Sequence, residues 1–202
     1  MKVSFKKKIK ENKGFTLIEL LVTIVIFVIL TGIILFNQGG FNSGIILRNL
    51  AYDIALNIKQ VQNYGIAVKE SQTQRGSFSS YGIYFDMIDN KSFIIFADND
   101  SNGRFTINPQ FGTSCPVGDP ECIQKYSISR GSSINRICLD IFCEDTATEL
   151  TILFKRPDPH ALIYVGGDFI QAVSRAIIEV SSAGNAASTS IVVTQTGQIY
   201  VR

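Results

Sequence analysis

From Phe15 to Phe36 the chain runs 22 residues that are apolar but for three threonines and one acid, Glu19. A helix rises about 1.5 Å per residue, so this run reaches roughly 33 Å. That is enough to cross a hydrocarbon core of about 30 Å. A helix that is apolar on every side has no stable place on a water-facing surface; it needs a protein core or a membrane around it. Glu19 is the anomaly in the run. A carboxylate inside a membrane segment is costly and marks a functional position by default.

The residues before the run are basic. Lys2, Lys6, Lys7, Lys8, Lys10 and Lys13 stand against Glu11, a net charge of +5. The remaining 13 basic and 16 acidic residues give −3. The positive-inside rule keeps the basic leader in the cytoplasm and places the C-terminal bulk outside. A mildly acidic remainder makes no general case for nucleic-acid binding. A secretory signal would have an apolar stretch of about 7–15 residues closed by a small-residue cleavage site. Here the run is longer, and Gln38-Gly39-Gly40 is a poor substitute for such a site. A plain anchor explains the length but not Gly14-Phe15 or Glu19.

Lys13-Gly14-Phe15-Thr16-Leu17-Ile18-Glu19, after a Lys-rich leader and before an unbroken apolar helix, resembles the prepilin signal of type IV pilins and type II secretion pseudopilins. The resemblance implies cleavage by a prepilin peptidase between Gly14 and Phe15, and N-methylation of Phe15. Glu19 then becomes the fifth mature residue, the position that family uses for filament assembly. Physically, cleavage would create an ammonium at Phe15, and Glu19 lies four residues, roughly 6 Å, along the helix from it. The carboxylate of one subunit is then suited to pair with the Phe15 amine of its neighbour. The plainer reading is an acid that snorkels to the headgroups.

About 165 residues follow, room for one domain with a real core. Gln38-Gly39-Gly40-Phe41-Asn42-Ser43-Gly44 is rich in helix breakers, so the long helix is expected to be melted or hinged over 37–44. A second, amphipathic helix is expected over 45–70. Ile46, Leu47, Leu50, Ala51, Ile54, Ile58, Val61 and Val68 form its apolar stripe, and 71–80 form a loop. The pattern then turns to short apolar and alternating runs. Tyr81–Phe85 and Ser92–Ala97 read as a hairpin. Residues 108–124 read as an irregular loop. Further strands are expected at Ser127–Ile128, Ser133–Ile141, Glu149–Lys155, Ala161–Val165, Ala176–Ser181, Ser190–Gln195 and Gln198–Arg202. One helix followed by many strands argues for an α+β head of antiparallel sheets over 81–202. With the prepilin resemblance this implies a pilin-like fold: leader 1–14, transmembrane and assembly helix 15–36, head 37–202. The Tyr81–Phe85 and Ile94–Asp98 pair, with a last hairpin around Thr196-Gly197, is similar to the GspH/FimT group of minor pseudopilins.

Cys115, Cys122, Cys138 and Cys143 are an even set in a segment expected outside the cytoplasm, which reads as two disulfides. Three pairings are open. Their spacings fit a zinc ribbon poorly, and the lone His160 is far away. Asp98-Asn99-Asp100-Ser101-Asn102-Gly103 matches the first half of a calcium loop, with Asp98, Asp100 and Asn102 as oxygen ligands. The twelfth position is Pro109 instead of a bidentate glutamate, so an acidic turn is the first reading and calcium the second. No other cofactor is indicated. No nucleophile motif or phosphate loop accompanies His160, and Lys155-Arg156 and Arg130 with Arg136 are small basic clusters.

The expected function is therefore a structural subunit, a minor pilin or pseudopilin, and not an enzyme. It would be anchored in the cytoplasmic membrane with its head outside until assembly. Its partners would be other pilin or pseudopilin subunits, the prepilin peptidase and the membrane. The alternatives are a DNA-uptake or adhesion pilin, for which the resemblance asks for basic residues near the C-terminus, where only Arg202 lies, and an exported membrane-anchored enzyme built around His160.

Overall fold

The apolar run and the amphipathic stripe that follows it both become helices in the computed structural model. The structure describes residues 14–36, 38–67, 79–105, 115, 119–140, 143, 145–166, 168–170, 173–185 and 187–202. Helix α1 spans Leu17–Phe36 and α2 spans Gln38–Ile66. Residues 38–44 are thus helical and not melted, although Gly39, Gly40 and Gly44 each cost a helix about 1 kcal/mol against alanine. Propensity is a weak constraint where leaving the helix would strip backbone groups of their partners. Helix α2 ends at Ile66, short of the expected boundary at 70; Val68 and the 71–78 part of the expected loop lie outside the described residues.

Two compact units divide the chain, Met1–Phe41 and Asn42–Arg202. Within the second, eleven strands follow the helix among the described residues. They are β1 Ser80–Asp86, β2 Ser92–Asp98, β3 Cys122–Ser127, β4 Ser133–Leu139, β5 Asp145–Thr146, β6 Glu149–Phe154, β7 Ala161–Val165, β8 Asp168–Phe169, β9 Arg175–Ser181, β10 Ser188–Thr194 and β11 Ile199–Val201. They form two antiparallel sheets, ordered β3-β2-β1-β6-β7-β8 and β11-β10-β9-β4-β5. The arrangement is α+β and pilin-like. The two-residue strands β5 and β8 carry too few residues to show a period. Strand β3 begins inside what reads as an irregular loop and ends where a strand at Ser127–Ile128 is expected. It forms because the outer edge of β2 offers it backbone partners, Phe93 opposite Tyr126 and Ile94 opposite Lys125.

The core is built by alternation. Tyr81, Ile83 and Phe85 of β1 point to one face of the first sheet. There they meet Leu47, Ala51, Ile54, Ile58 and Val61 of α2, which are all buried. Ile137, Ile178, Val180, Ile191 and Val193 of the second sheet join the same cluster. The helix comes close enough to β6 that a Cβ on Gly65 would sit 2.5 Å from the carbonyl oxygen of Phe154. Gln62 is polar yet only 3% exposed. Its Nε2 donates to the carbonyls of Pro159 and Gly197, both at 2.9 Å, and ties α2 to two loops distant in sequence.

Each sheet carries a disulfide on its outer face. Cys115–Cys122 packs with Tyr84, Ile94, Phe96, Phe105 and Leu153 on the first. Cys138–Cys143 packs with Ile177 and Val192 on the second. Both pairs are local, separated by 7 and 5 residues. Closing loops this short removes denatured-state entropy equivalent to about 2 kcal/mol each. Alkylation of the full-length protein without reductant should therefore label none of the four thiols. The double variants Cys115→Ser/Cys122→Ser and Cys138→Ser/Cys143→Ser should each lower stability by about 2 kcal/mol in thermal unfolding. Quantitative labelling of the untreated protein would refute the pairing.

Candidate functional site at the N-terminal helix

Helix α1 begins at a side-chain cap. Thr16 is its N-cap: the Glu19 N–H donates to Thr16 Oγ1 at 3.3 Å, and the Leu20 N–H donates to the Thr16 carbonyl at 3.1 Å. Thr16-Leu17-Ile18-Glu19 has the spacing of a capping box, with Glu19 at the third helical position. The signal for this role is present in the sequence, but the apolar context hides it. Glu19 lies in the first turn, where the helix macrodipole favours a negative charge by about 0.3–1 kcal/mol. Phe15 precedes the cap and is 77% exposed. Gly14 is also exposed, and a Cβ there would meet nothing within 4 Å.

Beyond the cap, α1 has no polar face. Leu17, Ile18, Leu20, Leu21, Ile24, Val25, Phe27 and Val28 all stand exposed around the helix. The two later threonines are internally satisfied: Thr23 Oγ1 donates to the Leu20 carbonyl at 2.8 Å and Thr31 Oγ1 to the Phe27 carbonyl at 2.7 Å. Hydroxyls bonded to their own backbone are tolerated in hydrocarbon. Leu17–Leu35 is long and apolar enough to cross a membrane.

Residues 9–35 match the prokaryotic N-terminal methylation motif. No curated protein and no solved structure matches the chain. The methylation motif covers Lys10 and Lys13, Gly14-Phe15, the Thr16 cap, Glu19 and nearly all of α1. Its features coincide with the capped start of the helix, where one exposed small residue, one exposed aromatic and one acid follow one another.

The other sequence candidates lie in the second unit. Asp98 ends β2 and is 3% exposed. Its Oδ2 accepts from the Gly103 N–H at 3.3 Å, while its Oδ1 is buried without a partner. Burial, and then the neighbouring Asp100, push the Asp98 carboxyl above the usual range. Asn102 is engaged within its own turn: its Nδ2 donates to Asp100 Oδ2 at 2.6 Å and its Oδ1 accepts from the Arg104 N–H at 2.8 Å. The acid that joins Asp98 and Asp100 is instead Glu121, just before β3. No sequence period brings it there; the pairing of β3 with β2 does.

His160 lies exposed on the loop before β7, its Nδ1 3.6 Å from Asp158 Oδ1. Arg130 and Arg136, neighbours in the sequence, line different grooves. Arg130 lines a groove with Asp53 of α2. Arg136 is paired with Glu179 at 2.7 Å, in a groove it shares with Arg202.

Proposed function

We propose that this chain is a filament subunit of the type IV pilin and type II pseudopilin class, in a minor role similar to the GspH/FimT group. The observation that carries the reading is the coincidence of the methylation motif with an all-round apolar helix whose one acid sits at its capped N-terminus. In this reading residues 1–14 are a leader cut by the prepilin peptidase, and the Phe15 amine is methylated. Residues 15–36 hold the subunit in the cytoplasmic membrane and later form the filament core. Residues 37–202 are the head outside the cytoplasm. The role is structural, and its partners are other subunits. The β1–β2 hairpin and the last hairpin, β10–β11, support the minor-subunit assignment.

Mass spectrometry of the N-terminal peptide tests the reading. In cells with an active prepilin peptidase the mature chain should begin at Phe15 and carry one methyl group on its amine. Retention of residues 1–14 would overturn it. Gly14→Leu should leave the full-length precursor, and because a Cβ at exposed Gly14 meets nothing within 4 Å among the described residues, that block reports recognition by the peptidase and not misfolding.

A further inference from the structure

The acidic group at the junction of β2 and β3 carries an inference independent of the filament reading. Two segments are clamped together there. The Ala97 N–H donates to the Glu121 carbonyl at 2.8 Å, and Asn99 Nδ2 donates to the Pro120 carbonyl. Asp119 Oδ1 accepts from the N–H groups of Glu121 and Cys122 at 2.9 and 3.0 Å, which sets the direction of entry into β3. The clamp brings Asp98, Asp100 and Glu121 into one group, each offering an oxygen within 4.8 Å of the others.

Three carboxylates so close repel one another, and two of them, Asp98 and Glu121, are buried. Among the described residues no lysine or arginine forms an ion pair with Asp98 or Asp100. Asp98 belongs to the group and is 3% exposed, and its Oδ1 is buried without a hydrogen-bond donor. A buried acceptor left unsatisfied costs about 1–3 kcal/mol, more when charged. A cation or a proton would remove that cost. Oxygens sharing one calcium ion at 2.3–2.6 Å lie no more than about 5 Å apart, and this group fits inside that limit. In place of the ligand that the loop lacks at its twelfth position, Glu121 from just before β3 stands beside Asp98 and Asp100.

We propose that Asp98, Asp100 and Glu121 form a calcium site that fastens the 98–105 turn to the start of β3. Calcium is favoured over magnesium because it accepts several protein carboxylates in flexible geometry, whereas magnesium holds its waters and demands a near-octahedral cage. Exposed Asp100 gives the ion its way in from solvent.

Full-length protein in detergent, stripped with a chelator, provides the test. Terbium is the probe. The chain has no tryptophan, so sensitised emission must come from tyrosine. Tyr164 lies against Gly103, whose N–H bonds Asp98. Terbium should bind saturably at one equivalent, calcium should displace it, and magnesium should do so at least about tenfold less well. Asp100→Asn and Glu121→Gln should each weaken binding about tenfold or more. If Asp98→Asn fails to fold, these two variants decide the matter, Asp100 being exposed. Absence of saturable binding would overturn the site and leave a proton on Asp98 as the neutralising group. Binding unchanged in both variants would overturn it equally, since the ion would then sit elsewhere.

Discussion

Glu19→Ala should drop out of sheared filaments by a hundredfold or more while its level in the membrane stays normal. The Asn42–Arg202 unit has its own core, so it should remain folded. Insertion should be no harder, since alanine is easier to place in lipid than a carboxylate. Two roles for Glu19 then compete. As a first-turn acid at the spacing of a capping box it contributes about 0.3–1 kcal/mol to its own helix. As the proposed partner of a neighbour's Phe15 ammonium it would do far more. Removing one member of a poorly solvated pair leaves the other uncompensated, at about 3–5 kcal/mol, and each 1.4 kcal/mol is about tenfold in association. Glu19→Gln separates the two roles, because glutamine still serves a capping box but carries no charge. It should fail nearly as badly as alanine. Normal incorporation of glutamine alone would assign Glu19 to the cap. Normal incorporation of both variants would leave it a snorkelling acid and end the charge-pair mechanism. The readout is the amount of each variant that co-sediments with filaments, normalised to its membrane level.

The second large effect is expected in the Asn42–Arg202 unit. Gly197→Ala should destabilise it by about 3–5 kcal/mol, although the change adds a single methyl group. Gly197 turns the chain between β10 and β11 at φ 82°, a conformation that costs other residues about 1–2 kcal/mol. A Cβ there would collide with the Pro159 carbonyl oxygen and lie 2.6 Å from Gln62 Nε2. Neither neighbour yields easily. Pro159 O is backbone, and Gln62 is buried with both of its carbonyl partners at this point. The methyl group would push the hairpin away from α2 and strand that amide. For a unit of this size a loss of 1 kcal/mol lowers Tm by about 2–4 °C, so thermal unfolding of the full-length protein should shift by roughly 10 °C. Thr196→Ala, exposed in the same turn, should move stability by no more than about 0.5 kcal/mol. Equal melting of Gly197→Ala and the parent would show that the turn moves aside at little cost.

What the amino-acid order determined by itself is whatever depends on near neighbours along the chain. The apolar run from Phe15 needs no partner to be recognised, because its length and lack of a polar face are local properties. Leu47, Ala51, Ile54, Ile58 and Val61 announce a helix face by spacing alone, and all five are buried. Most strands are legible in the same way, β1, β2, β6, β7 and β9 within a residue or so of their observed limits. The tertiary structure decided what joins distant segments. Ile83 of β1 is placed beside Ile152 of β6, and Ile137 of β4 beside Ile178 of β9. Gln62 reaches Gly197 across the fold, and Glu121 comes to Asp98 only because β3 completes the edge of β2. Alternation tells which face of a strand is apolar but not which strand lies alongside, since any strand of matching pattern would bury the same face. The choice is made by the whole set of contacts at once, and that is why the acid grouping near Asp98 is visible only in the folded chain.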